Sequence, residues 1–207
     1  MGVWERVDRS FLTRHGFEQD EVYIRALKNL NYRQCAEFTI SYLGIDITPE
    51  QLFAEWNETA VWEYGHAIDM KPGAYEVLRY CKEQGVAIVL ATVSDPKLSE
   101  AVLQRYGVYD WFTGFTDEAS ADKGKEHPDI YLQAAGIAGA LPEECIVFED
   151  ILKGIRSAKR AGFITCAFED ASQEPDHSIL QQEADHYIRN WDEGLKLLKE
   201  YRGEKVA

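Results

Sequence analysis

The chain has 207 residues, of which 45% are hydrophobic, enough to bury a full core as one unit or as a core with a small second lobe. Its 22 Lys and Arg against 36 Asp and Glu give a formal net charge of -14. That field argues against nucleic acid and against anionic membrane as partners, because both are bound through basic patches, and an anionic ligand would need a local positive site inside it.

In chain order, residues 1–70 carry helical signals only. Val22, Leu27 and Leu30 fall near one face of a first segment. Thr48-Pro49-Glu50-Gln51 reads as a capping box with proline at the first helical position, opening a helix through Trp62. From residue 71 to 207 helix and strand alternate. Pro72 opens a helix with Ala74, Val77, Leu78 and Cys81 at helical spacing, closed by Gly85. Val86 to Thr92 is a continuous apolar run of strand length, as a sheet covered on both faces requires. A helix from about Lys97 to Tyr106, a strand near Phe112 to Phe115 and a helix around Ile130 to Gly136 follow. Next come a strand Cys145–Phe148, a helix carrying Ile151, Ile155 and Ala158, and strands Phe163–Phe168 and His186–Ile188. The expected architecture is a doubly wound parallel α/β sheet (71–207) beside an all-helical lobe (1–70).

Cys35, Cys81, Cys145 and Cys166 lie far apart, with no C-x-x-C and no histidine at zinc spacing, and read as reduced thiols of a cytoplasmic protein. The opening MGVWERVDRS has no signal-peptide core, and no apolar run is long enough to span a membrane.

Ligands of such sheets bind beyond the carboxyl ends of the strands. The first apolar strand ends in Thr92-Val93-Ser94, where a hydroxyl and successive backbone N–H groups can cradle a phosphate. Taken alone, capping of the next helix is the commoner role for such residues. Another strand ends in Glu149-Asp150. Adjacent carboxylates at a buried strand end repel each other, and a hard cation such as Mg²⁺ relieves that cost; acidic residues also favour a helix's first turn for its dipole alone. Between them, a lysine of the loop Ala121–Asp129, Lys123 or Lys125, could neutralise a phosphoryl group, although a lone lysine is more often a solvated one. His127, before a proline in a turn, reads as structural.

Order and spacing bind these parts together. Leu90-Ala91-Thr92-Val93-Ser94, then Lys125-Glu126-His127-Pro128-Asp129-Ile130-Tyr131, then Phe148-Glu149-Asp150-Ile151-Leu152-Lys153-Gly154-Ile155 resemble the second, third and fourth motifs of the haloacid dehalogenase (HAD) superfamily. The likeness is to its helical-cap subfamily of phosphoglycolate phosphatase-like and β-phosphoglucomutase-like enzymes, over about residues 1–190. It implies a HAD-like fold with a helical cap (1–70) and an α/β core (71–207). It also implies Thr92, Val93, Ser94 and Lys125 on phosphate, Thr92 and Lys125 in catalysis, and Asp150 with Glu149 on Mg²⁺. Glu126 departs from the motif, which usually has proline there.

The family's first motif, D-x-D-G-T/V, supplies a nucleophilic and an acid/base aspartate at the end of a first core strand. No D-x-D occurs in the 207 residues. That strand is therefore expected to be missing from the chain as given, through a misplaced start or a truncation or, as the runner-up, through loss in an inactive protein. The resemblance implies Mg²⁺-dependent hydrolysis of a small phosphorylated metabolite through an aspartyl-phosphate, with the chain as given inactive. A phosphomutase shares the same motifs, and a non-catalytic binding module is the alternative of another class. Family members that dehalogenate carbon need no metal, and the Glu149-Asp150 pair argues against that chemistry. Substrate identity and oligomeric state are not legible.

Overall fold

The structure is a computed structural model, and it describes residues 2–27, 30, 32–92, 94–116, 125–171 and 176–204. The chain forms two compact units, residues 1–68 with 97–105, and residues 69–96 with 106–207.

The first unit is helical. It comprises α1 (Val3–Arg14), α2 (Glu21–Leu27), α3 (Tyr32–Leu43), α4 (Pro49–His66) and the bulk of α6 (Pro96–Arg105). α4 starts at a full capping box: Gln51 N–H donates to Thr48 Oγ1 at 3.2 Å, and Thr48 N–H to Gln51 Oε1 at 2.8 Å. Two of the donors that a helix N-terminus leaves without partners are thereby satisfied. Phe11, Leu12, Tyr23, Leu52, Trp56 and Leu98 form the core of this unit. The buried stripe of α2 is offset from the expected one: Tyr23 is 1% exposed while Val22 is 67% exposed. The Tyr23 hydroxyl is tied inward, donating to Asp8 Oδ1 at 2.7 Å and lying 2.8 Å from Thr39 Oγ1. A polar tip that finds buried partners lets tyrosine take a core position, which apolar periodicity alone does not register.

The second unit is α/β. It contains α5 (Ala74–Glu83), β1 (Val89–Leu90), β2 (Gly114–Phe115), α7 (Asp129–Ala138), β3 (Ile146–Glu149), α8 (Leu152–Arg160), β4 (Ile164–Phe168), α9 (His177–Glu183), β5 (His186–Ile188) and α10 (Trp191–Tyr201). Every ladder among the described residues is parallel, but they belong to two sheets, β1-β2 and β3-β4-β5. β4 is flanked on both edges and buried over Thr165–Phe168. α8 turns Ile155 and Ala158 inward and leaves Arg156, Lys159 and Arg160 outside. α5 and α10 pack through Val77, Tyr80, Cys81, Trp191, Leu195 and Leu198. The apolar run from Val86 to Thr92 carries strand geometry only at Val89 and Leu90, because β2 borders it on one edge and no ladder forms on the other among the described residues. None of the described helices is long and apolar enough to cross a membrane.

Candidate active site

The expected site residues all belong to the α/β unit; Thr92 and Ser94 follow β1, Glu149 ends β3 with Asp150 after it, and Lys125 lies ten residues past β2. Glu149 is the last residue of β3, with 6% of its surface exposed. Lys125 Nζ reaches both of its carboxylate oxygens, at 3.0 and 2.7 Å. Lys125 and Glu149 are themselves largely withdrawn from solvent, with side chains 16% and 4% exposed. The Tyr131 hydroxyl donates to Glu149 Oε2 at 3.2 Å, and Ile151 N–H lies 3.4 Å from Oε1. Burial pushes the Glu149 carboxyl above its ordinary value, and the neighbouring Asp150 adds to that; Lys125 pulls it back by charge and hydrogen bond. The Tyr131 phenol is likewise pushed up, first by burial and then by the Glu149 charge it touches.

Two residues bear on this arrangement that sequence reasoning did not single out. Tyr131 stood in the quoted motif only as an aromatic position, and its hydroxyl is what matters. Gly154, in the first turn of α8, lies under Glu149 and Tyr131: a Cβ there would fall 2.6 Å from the Tyr131 hydroxyl and 2.7 Å from Glu149 Cγ. Only a residue without a side chain lets α8 approach that closely.

The Glu149-Asp150 pair divides its work. Both oxygens of Glu149 are occupied by Lys125, Tyr131 and Ile151. Asp150 is half-buried and accepts no hydrogen bond among the described residues. A hard cation takes oxygen ligands, so Asp150 fits as one ligand of Mg²⁺, while Glu149 fits only if it leaves Lys125. No cluster of three or more His, Cys, Asp or Glu side chains suited to a metal occurs among the described residues. The Asp150 carboxylate is thus open to a cation without disturbing the Lys125–Glu149 pair.

Thr92 and Ser94 stand two and four residues past the last ladder residue of β1. Thr92 Oγ1 accepts from Ser94 N–H at 3.1 Å, and Thr92 N–H donates to Thr116 Oγ1 at 3.3 Å. The threonine hydroxyl therefore closes a turn that leaves Ser94 exposed. Val93, the middle of the expected phosphate cradle, lies outside the described residues. Lys125, Glu149 and Asp150 are brought together; Thr92 makes its contacts within its own turn and with Thr116. His127 is exposed, and Glu126 pairs outward with Lys153 at 3.2 Å.

The α/β unit thus carries a buried lysine–carboxylate pair at a strand end, in a chain that also contains a helical unit. Residues 9–162 match the family described as haloacid dehalogenase-like hydrolase, and the chain belongs to that family. Hexitol phosphatase B of Escherichia coli (strain K12) is 33% identical over 90 residues, 44% of this chain and 40% of that protein. The β-phosphoglucomutase of Bacillus subtilis (strain 168) is 34% identical over 94 residues, 45% of this chain and 41% of that protein. The chain thus matches about two-fifths of the length of these curated relatives. A HAD family hydrolase from Deinococcus radiodurans R1, solved with bound phosphate and sodium, has a TM-score of 0.68 at 23% identity, covering all of this chain and 92% of that one. At that identity the likeness establishes the fold.

Proposed function

We propose that this chain belongs to a Mg²⁺-dependent phosphatase acting on a small phosphorylated metabolite through an aspartyl-phosphate. The observation that carries the reading is the buried Lys125–Glu149 pair, 2.7 Å at its shortest, beside an Asp150 carboxylate at a strand's carboxyl end that has no hydrogen-bond partner among the described residues. The Deinococcus relative with bound phosphate and the hexitol phosphatase relative support the same class of ligand. Four free cysteines fit a cytoplasmic, reducing setting.

In this reading Glu149 holds the Lys125 ammonium in place, so that the cation meets a phosphoryl oxygen without first being ordered. Thr92, through its hydroxyl, and the Val93–Ser94 backbone bind the same group from the end of β1. Asp150 would hold Mg²⁺, which when bound neutralises charge on the phosphoryl oxygens. Attack by a carboxylate divides one hard displacement into two easier ones. No D-x-D occurs in the 207 residues, and these residues alone are expected to give no turnover.

The test is to place a D-x-D-bearing strand ahead of residue 1 and follow phosphate release from a generic ester. We expect turnover in the extended form, none in the 207-residue chain, and loss of most activity in Asp150→Asn. Full activity in excess chelator would rule out the metal role. A phosphomutase reading is favoured by the Bacillus β-phosphoglucomutase relative. Phosphorus NMR separates the two, showing free phosphate in one case and an isomerised sugar phosphate in the other.

A further inference from the structure

Glu149 has no lone pair to spare. A carboxylate offers about four acceptor positions, two on each oxygen. Lys125 Nζ takes one on each oxygen, the Tyr131 hydroxyl takes the second on Oε2, and Ile151 N–H is directed at the second on Oε1. Two of these donors belong to the packed frame of the unit. Ile151 N–H is backbone, at the N-cap of α8. The Tyr131 ring is held among Ile130, Ala135, Ala158 and Phe163, with its ring and that of Phe163 T-shaped at 6.3 Å between centroids. Lys125 is the odd one out, an ammonium on a flexible four-carbon stem.

The arrival of ligands alters what restrains Glu149. A phosphoryl oxygen that engages the Lys125 ammonium competes with Glu149 for it, and a hard cation beside Asp150 competes for the Glu149 oxygens. The Tyr131 hydroxyl then opposes a turn of Glu149 towards the cation. Its hydrogen bond to Glu149 is the only one it makes among the described residues, and a bond to a charged acceptor is of the stronger kind. If Glu149 turned away, that bond would be lost with no second protein partner in place.

We propose that Tyr131 is a positioning residue that keeps Glu149 on Lys125 and off the metal, so that of the two adjacent carboxylates only Asp150 serves Mg²⁺. The proposal rests on the phosphatase reading given above. It assigns the decisive part to the hydroxyl and leaves the ring its packing role. Phenylalanine at this position keeps the packing against Phe163 and deletes the restraint, which lets Glu149 join Asp150 as a second oxygen ligand.

The experiment titrates Mg²⁺ alone into the 207-residue chain, followed by calorimetry and by the NMR shifts of the 149–151 amides. Tyr131→Phe should bind Mg²⁺ about tenfold or more tightly than wild type, because the lost bond no longer opposes a second carboxylate. Damage to packing would weaken the site, so a gain in affinity is not a structural side effect. In a Glu149→Gln background the same Tyr131→Phe change should leave Mg²⁺ affinity within about twofold, since the group it releases is gone. Equal affinity of wild type and Tyr131→Phe, including no binding by either, would overturn the proposal. A gain of the same size in the Glu149→Gln background would also overturn it. Failure of the metal reading shows in a different comparison, an Asp150→Asn chain that binds Mg²⁺ as tightly as wild type.

Discussion

Gly154→Ala tests the site's construction most directly. The added methyl would sit 2.6 Å from the Tyr131 hydroxyl, 2.7 Å from Glu149 Cγ and 3.0 Å from its Cδ. Tyr131 is 2% and Glu149 6% exposed, so the clash is met inside the unit and not in solvent. Overpacking of this kind costs about 1–3 kcal/mol. Displacing the Tyr131 hydrogen bond to a charged acceptor costs about 1.5–3 kcal/mol, but the two losses overlap because one movement causes both. Alanine recovers up to about 1 kcal/mol of helix propensity. We therefore expect a net loss of about 1–3 kcal/mol, or about 2–12 °C in melting temperature for a chain of this size. Gly136→Ala is the internal control: it lies in α7, exposed, with nothing within 4 Å of its would-be Cβ. There the propensity gain of up to about 1 kcal/mol stands alone, and melting should hold or rise. If Gly154→Ala melts like Gly136→Ala, the close packing of α8 beneath Glu149 is refuted.

Lys125→Ala leaves the Glu149 charge buried without its partner, a loss of about 3–5 kcal/mol by denaturant titration at neutral pH. Glu149 already titrates above its ordinary 4.5 because of burial, and removing Lys125 raises it further. Its contribution to stability is fully present below that ordinary value and lost as pH rises, so the mutant's deficit must narrow on acidification; a deficit independent of pH would contradict this. Asp8 is held above its ordinary 3.8 by burial, against hydrogen bonds from Tyr23 and Gln19, so wild-type stability is lost as pH climbs past that value. Asp8→Asn should match wild type in acid and exceed it at neutral pH, helped by the buried, unpartnered Gln19 Oε1, which can accept from the new amide. Lower stability of Asp8→Asn at neutral pH would show that the carboxylate is needed charged. Phe11→Ala, emptying a fully buried position of the helical unit, should cost about 3–5 kcal/mol by the same titration, and a loss under 1 kcal/mol would mean that the core collapses around it.

What the sequence made legible is what depends on local chemistry or on strong apolar runs. The Thr48–Gln51 box is read from four residues because both of its hydrogen bonds are local. The run Phe163–Phe168 is read as a strand because β4, flanked on both edges, is covered on both faces, and that leaves Thr165 as its single polar residue. The motifs placed Lys125, Glu149 and Asp150 together, since each follows a strand end. What failed to show was set by tertiary partners. Tyr23 rather than Val22 faces inward because Asp8 and Thr39, far from it in sequence, receive its hydroxyl. α6 belongs to the helical unit although it follows β1 in the chain, because Leu98 packs among Phe11, Tyr23 and Trp56. Helices α9 and α10 went unread; α9 offers only Ile179 and Leu180 as an apolar signal, while in α10 Leu195, Leu197 and Leu198 are mixed with charged residues. The split of Glu149 from Asp150 also escaped: two carboxylates side by side look equivalent until a lysine takes one.

If Asp150 holds Mg²⁺ as proposed, that split sets an order in which ligands bind. The cluster holds one positive charge, Lys125, and two negative ones, Glu149 and Asp150, so its formal sum is 1 - 2 = -1. It sits in a chain whose own charge is -14. A phosphate dianion approaching the cluster in that state is repelled, and the nearest positive group is already neutralised by its partner at 2.7 Å. Adding a divalent cation at Asp150 changes the sum to +1. Charges about 4 Å apart interact by about 4 kcal/mol at an effective dielectric of 20, so even a third of that would change affinity about tenfold. Inorganic phosphate should therefore bind the chain weakly in chelator and at least about tenfold more tightly in millimolar Mg²⁺, by calorimetry at fixed ionic strength. Asp150→Asn should bring the cluster to zero, weaken the Mg²⁺ dependence, and raise affinity in chelator. Glu149→Gln, which frees Lys125 without touching Asp150, should raise affinity in chelator while leaving the Mg²⁺ response in place. Phosphate affinity unaffected by Mg²⁺ in all three proteins would mean that the anion is bound elsewhere and that this charge balance does not govern it.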